Sequence, residues 1–147
     1  MDEPALWAVD GTVAMPPAAV AGLLLAVSEG RVGHDNLLVL AGASAARRGA
    51  MTVVGGPNVY RAELAGPVEP VEIRVDPSNS TLAVQSWYAG IYTVTACRAG
   101  ALVTHQVHRV VPRHPGFADG IADLGLRVRM RRDLDAVLGV IADRLGC

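Results

Sequence analysis

The chain contains no lysine. All 13 of its cations are arginine, set against 14 acidic residues for a formal net charge of −1. So even a balance gives no general attraction to nucleic acid or anionic membrane, and neither is an expected partner. Aromatic residues make up only 4% of the chain although 51% of it is hydrophobic. The core must therefore be built from Val, Leu, Ile and Ala, and the composition argues against disorder. Cys97 and Cys147 are the only cysteines. One of them is the last residue, and two make neither a disulfide framework nor a zinc motif. The longest apolar run, Val13 to Val27, is broken by two prolines and a glycine, so stable insertion across a bilayer is not expected. Asp2 and Glu3 open the chain where a signal peptide would carry basic residues, which leaves a cytoplasmic protein as the expectation. Also missing are Gly-x-Ser-x-Gly, His-Glu-x-x-His, a phosphate-binding loop and a paired-glycine dinucleotide fingerprint. No metal, nucleotide or other cofactor is therefore expected. The abundance of Ala, Gly, Val and Arg fits the coding bias of a high-GC bacterium and carries no function.

At 147 residues the chain has the length of one domain, residues 1–147, and can bury a sizeable core. Its most ordered pattern lies at the end. From Phe117 to Leu145 the residues Ile121, Leu124, Val128, Leu134, Leu138, Ile141 and Leu145 fall close to one stripe, widened by Val137. That is the period of an amphipathic helix, about 25 residues and roughly 40 Å long. Asp123 with Arg127, Arg129 with Asp133, and Arg131 with Asp135 stand four apart and can pair along it. Arg131 interrupts the stripe, and Gly125 weakens it.

Ahead of this helix the pattern is different. Leu6 to Val13 reads as a strand, Pro16 and Pro17 break it, and Ala18 to Ser28 reads as a short buried helix. Asn36 to Leu40 is ambiguous between strand and helix, and Ala41 to Ala50 reads as a short helix or loop. Strands follow at Met51–Val54, Asn58–Leu64, Val71–Val75, Thr81–Tyr88, Ile91–Cys97 and Ala101–Val111. Val71, Ile73 and Val75 alternate with Glu72 and Arg74, which gives one dry face and one wet face. Asp76-Pro77-Ser78-Asn79-Ser80 is a strong turn, and Ala89-Gly90 reads as another. Short turns between strands argue for an antiparallel meander, and the final helix is the only element long enough to cover its dry face.

This order resembles the helix-grip fold of the START and birch-pollen-allergen superfamily, SRPBCC. The matching parts are the opening strand running into a Pro-led helix (VDGTVAMPPAAVAGLLLAV), the turn-linked strands from Val71 to Val111, and the closing helix MRRDLDAVLGVIADRL. The resemblance covers nearly the whole chain and rests on element order and residue texture. It implies an α+β fold in which a curved antiparallel sheet wraps a long C-terminal helix around an apolar cavity. Bacterial members include polyketide cyclase-like proteins and many of unknown role. Members commonly carry an aromatic-rich segment with Trp after the first helix, and Glu29 to Ala50 has none.

Within such a cavity the alternation nominates Tyr60, Ile73, Val84, Tyr88, Tyr92, Val94, Val103, His105 and Val107 from the strands. From the helix it nominates Leu124, Val128 and Arg131. A tyrosine there gives an apolar wall and one hydroxyl, or it is ordinary packing. His105 is the weak catalytic candidate: it orients a polar head or acts as a base, or it is a core histidine satisfied by a neighbour. His108 has the opposite parity and is expected to point outward, so the two make no metal pair. Arg131 meets a ligand carboxylate or reaches to the edge. Trp87 is expected outward, and Asp10 and Asp123 are open to either face. His34 and His114 fall in loops.

Three functions fit. The first is binding or transport of a hydrophobic or amphipathic small molecule, such as a lipid, fatty acid, sterol or polyketide. The second is a cyclase or dehydratase-like enzyme on the same scaffold, using His105 and a tyrosine. The third is an interaction module with a filled cavity. Oligomeric state stays open, a homodimer included.

Overall fold

The computed structural model describes residues 7–31, 38, 51–64, 71–85, 88–109 and 118–146. Its first strand, β1 (Trp7–Val13), leads through Pro16 into α1 (Pro17–Leu24). Pro17 stands in the first turn of α1, where a missing N–H costs nothing. Val20 and Leu24 are its buried residues. α1 is shorter than the sequence suggests, and beyond it Gly30–Arg31 form a two-residue strand, β2.

Six further strands make the rest of the sheet: β3 (Met51–Gly55), β4 (Val59–Leu64), β5 (Val71–Asp76), β6 (Thr81–Gln85), β7 (Tyr88–Cys97) and β8 (Gly100–Arg109). The chain closes with α2 (Ala118–Leu145). The sheet has eight strands in the order β1-β8-β7-β6-β5-β4-β3-β2. Every pairing is antiparallel. From β2 to β8 it is a plain meander, and β1 returns to the far side of β8.

The turn at Asp76–Ser80 forms as its residue types dictate. The Asp76 carboxylate accepts from Ser78 Oγ at 2.6 Å and Asn79 Nδ2 at 2.7 Å, and these bonds hold its pKa below the usual carboxylate range. Ser80 takes a left-handed conformation with φ 49°. Gly55 and Gly56, with φ near +107° and +110°, turn β3 into β4 in a way a side chain would resist. The expected turn at Ala89-Gly90 is not one: both residues lie inside β7, which starts at Tyr88. Glycine in a strand commonly marks a close approach, and Gly90 is such a case, as shown below.

One face of the sheet and one face of α2 share the core. Val53, Ala62, Ile73, Leu82, Val94, Val103, Leu134, Val137 and Ile141 are each buried to 4% exposure or less. α2 approaches β1 so closely at Gly11 that a Cβ there would stand 2.4 Å from Leu138 Cδ1. Arg131 ties the same two elements: its Nη1 donates to the Asp10 carbonyl at 2.8 Å, while Nη2 pairs with Asp135 at 3.3 Å. β1 is an edge strand, and this contact occupies a carbonyl on its unpaired side. Arg131→Gln is expected to cost no more than about 1 kcal/mol in a denaturant titration, because both partners are solvent-exposed. A loss of several kcal/mol would show the clamp to be a core contact instead.

Candidate functional site

The strand register arranges the inward residues in cross-sheet rows. In one row Tyr60 faces Ile73, Ile73 faces Val84, Val84 faces Gly90, and Gly90 faces Val107. In the next, Val75 faces Leu82, Leu82 faces Tyr92, Tyr92 faces His105, and His105 faces Val9. In a third, Val94 faces Val103, which faces Gly11. Tyr92 and His105 are thus a direct cross-strand pair, the arrangement in which side chains meet most closely.

Their rings stack with centroids 4.1 Å apart and planes 6° from parallel. Both are buried, at 4% and 5% exposure. Gly90 makes room for the imidazole, since a Cβ there would stand 3.3 Å from His105 Cε1. His105 Nδ1 is buried with no hydrogen-bond partner among the described residues. Burial pushes the His105 pKa down to about 4, and a hydrogen bond with the Ile91 backbone opposes that shift. The imidazole is therefore neutral at pH 7. Burial, and then the charge of Asp133 on α2, raise the Tyr92 phenol above its ordinary value, so it too is neutral.

Of the residues nominated from sequence, Ile73, Tyr92, Val94, Val103, His105 and Val107 are buried together on the face covered by α2. Tyr60 and Val84 are partly buried against the same core. Tyr60 stands at the far end of its row, its ring lying across Gly56. Tyr88 and Leu124 lie in β7 and α2, and their side chains fall outside the described residues. Trp87, His34 and His114 also lie outside the description.

Three placements correct the sequence-based expectations, and that of Asp10 settles a reading left open. Val128 is 63% exposed rather than turned to the covered face. Arg131 is exposed at the edge, engaged with Asp10 and Asp135 rather than with the covered face. Asp10 is exposed. His108 is buried at 8% exposure despite its outward parity, so β8 is covered on both sides at that end. Gly90, Leu82, Met130 and Asp133 were not nominated, yet they surround or support the stacked pair or the covered face. Of these, Leu82 alone carried a signal, its alternation with Val84.

A separate groove of about 710 Å³ opens at the β3–β4 hairpin, lined by Val54, Gly55, Val59, Tyr60, Arg61 and Glu72. Val54, Arg61 and Glu72 are paired in register and have the parity of the sheet's outer face. Arg61 pairs with Glu63 at 3.0 Å and Glu72 pairs with Arg74, so this groove has charged side chains among its lining residues. No charged residue stands in the cross-sheet rows that hold His105. Among the described residues no group of three His, Cys, Asp or Glu could hold a metal ion. No described helix is long and apolar enough to cross a membrane.

A curved antiparallel sheet closed by a long C-terminal helix, with a short helix after the first strand, is the helix-grip fold, and solved structures agree. The KanY protein aligns with TM-score 0.60 at 18% identity, over 96% of this chain and 99% of its own. The Zhui aromatase/cyclase from Streptomyces sp. R1128 aligns with TM-score 0.52 at 20% identity, over 95% of each chain. At such identities the likeness establishes the fold. No protein-family model matches the chain, and no curated protein matches it by sequence.

Proposed function

We propose that the protein binds a hydrophobic or amphipathic small molecule between its sheet and α2. One observation carries this: a polar atom, His105 Nδ1, is buried with no hydrogen-bond partner among the described residues, on a largely apolar face. Leaving such an atom unmet costs about 1–3 kcal/mol, and a ligand that meets it recovers that cost. The surrounding Val and Leu side chains suit an apolar body, and few polar groups in an apolar lining is the usual make-up of a small-molecule site. Lipids, fatty acids, sterols and polyketides are the candidate classes.

An enzyme of the cyclase type on the same scaffold is the alternative favoured by a specific feature. A neutral imidazole beside a neutral tyrosine can act as base and acid, and such enzymes work largely by holding the substrate's shape. His105→Ala separates the two: a carrier keeps ligand affinity within roughly tenfold, whereas an enzyme keeps binding and loses turnover.

Native mass spectrometry of the protein from a bacterial host tests the binding itself. The expected result is a mass excess that disappears on denaturation. No excess, together with no thermal shift from a panel of fatty acids, sterols and aromatic polyketides, contradicts it.

A further inference from the structure

We propose that Tyr60 sets the length of ligand this protein takes: its ring is the end wall of the ligand space and parts that space from the groove at the β3–β4 hairpin. This rests on reading the covered face as a ligand site, and it goes further by naming the residue that limits what the site admits.

The space lies along one row of the sheet. From Tyr60 the row beside His105 runs through Ile73, Val84 and Gly90 to Val107. Ile73 and Val107 are buried, but Val84 and Gly90 between them are half-buried. Yet β6 and β7, which carry these two, stand in the middle of the sheet. A valine that points to the covered side and still meets solvent has open space over it. A ligand lying along this row crosses the strands. With neighbouring strands about 4.8 Å apart, β5 to β8 gives it roughly 14 Å.

At β4 the row ends. The partner of Tyr60 on β3 is Gly55, which has no side chain, and the chain turns just beyond it. Tyr60 is therefore the last side chain of the row. The groove lies on its other side. Among the described residues lining that groove, Val54, Val59, Arg61 and Glu72 have outer-face parity, and Tyr60 alone has a side chain with the parity of the covered face. Tyr60 also packs against the core. One aromatic ring thus stands between the two spaces.

The ring has a seat. A Cβ on Gly56 would stand 2.8 Å from Tyr60 Cε2 and 3.3 Å from its hydroxyl oxygen, so the glycine makes room for the ring. Gly56 is itself held in place. Its N–H donates to the Val59 carbonyl at 2.8 Å, and the Val59 N–H donates to the Pro57 carbonyl at 2.8 Å. The wall therefore rests on a hydrogen-bonded turn.

Straight-chain alcohols from 1-hexanol to 1-tetradecanol, in steps of two methylenes, test this by displacing the neutral dye N-phenyl-1-naphthylamine from wild type, Tyr60→Ala and Tyr60→Phe. Each step that is buried should tighten binding about 5- to 15-fold. In wild type the gain should stop within the series, where the chain meets the wall. In Tyr60→Ala it should continue for one further step or more, so that the longest alcohol binds at least about fivefold tighter than in wild type. Tyr60→Phe keeps the ring and should keep the wild-type break. In wild type alone, the Val84 methyl resonances should shift with bound alcohol while those of Val59, across the wall, stay, a readout that needs no variant to fold. Four results overturn the proposal and leave the ligand site standing: a gain that runs unbroken through the series in wild type, a break that stays in place in Tyr60→Ala, a break that moves as far in Tyr60→Phe, or Val59 shifts with the long alcohols. If wild type binds neither dye nor alcohol, the proposal and the ligand-site reading fall together.

Discussion

Truncating Leu134 to Ala is expected to destabilise the protein by about 2–5 kcal/mol, whereas Val128→Ala should stay within about 0.5 kcal/mol. Leu134 is fully buried where α2 covers the sheet, and Val128 is 63% exposed. Six residues at about 100° each put the two roughly 120° apart around the helix. The buried line runs through Met130, Leu134, Val137 and Ile141. The line through Val128 runs on to Arg131 and Asp135, which are both exposed. Urea titrations of the two variants decide the matter. Equal losses would mean that α2 is rotated from the position described.

Acid should weaken the wild-type fold through His105. Its folded pKa is about 4 against an ordinary 6.5, so between these values the unfolded chain binds the proton and the folded chain does not. Stability therefore rises with pH across this window: the penalty is absent above about pH 6.5, grows as pH falls, and is complete near pH 4. Its full size is roughly 3 kcal/mol at about 1.4 kcal/mol per unit. Tyr92 is the ionisable group stacked on the imidazole, and Asp133 acts on Tyr92. Tyr92 stays neutral throughout, since its pKa is raised. Other carboxylates also titrate in this window, so the informative quantity is the difference between wild type and His105→Phe, which keeps the stack without the titration. Unfolding free energies measured from pH 7.5 to 4 should fall more steeply for wild type. Parallel profiles would show that the imidazole is reached by water or a counter-charge.

Much of this was legible in the residues because period and punctuation carry it. Val71, Ile73 and Val75 alternate cleanly, and Asp76-Pro77-Ser78-Asn79 has the chemistry of a turn. β5 and the turn after it formed where the sequence placed them, and β6 starts at Thr81 as read but ends at Gln85, with Tyr88 opening β7. The pair at the site was half legible: alternation put Tyr92 and His105 on one face, but only the register shows that they stand opposite each other. Three features were hidden for physical reasons. Gly90 has no side chain, so it reads as a turn although its lack of a Cβ is what admits the His105 ring. The helix stripe was drawn through Val128 because its apolar residues fit two lines, and the misplaced Arg131 was the sign that the first line ends there. Met130, on the second line, is the residue that the drawn stripe missed. Parity also failed for His108, because alternation assigns a face and says nothing of what covers it.

Methyl-resolved NMR during a titration with 2-naphthol tests the central claim most directly, because it distinguishes the face covered by α2 from the groove at the β3–β4 hairpin. Binding between sheet and α2 is expected to shift the methyl groups of Val94, Val103 and Val107 and leave Val54 and Val59 unmoved. Shifts confined to Val54 and Val59, in the outer groove at the β3–β4 hairpin, or no shifts at saturating 2-naphthol, would contradict a ligand site at Tyr92 and His105.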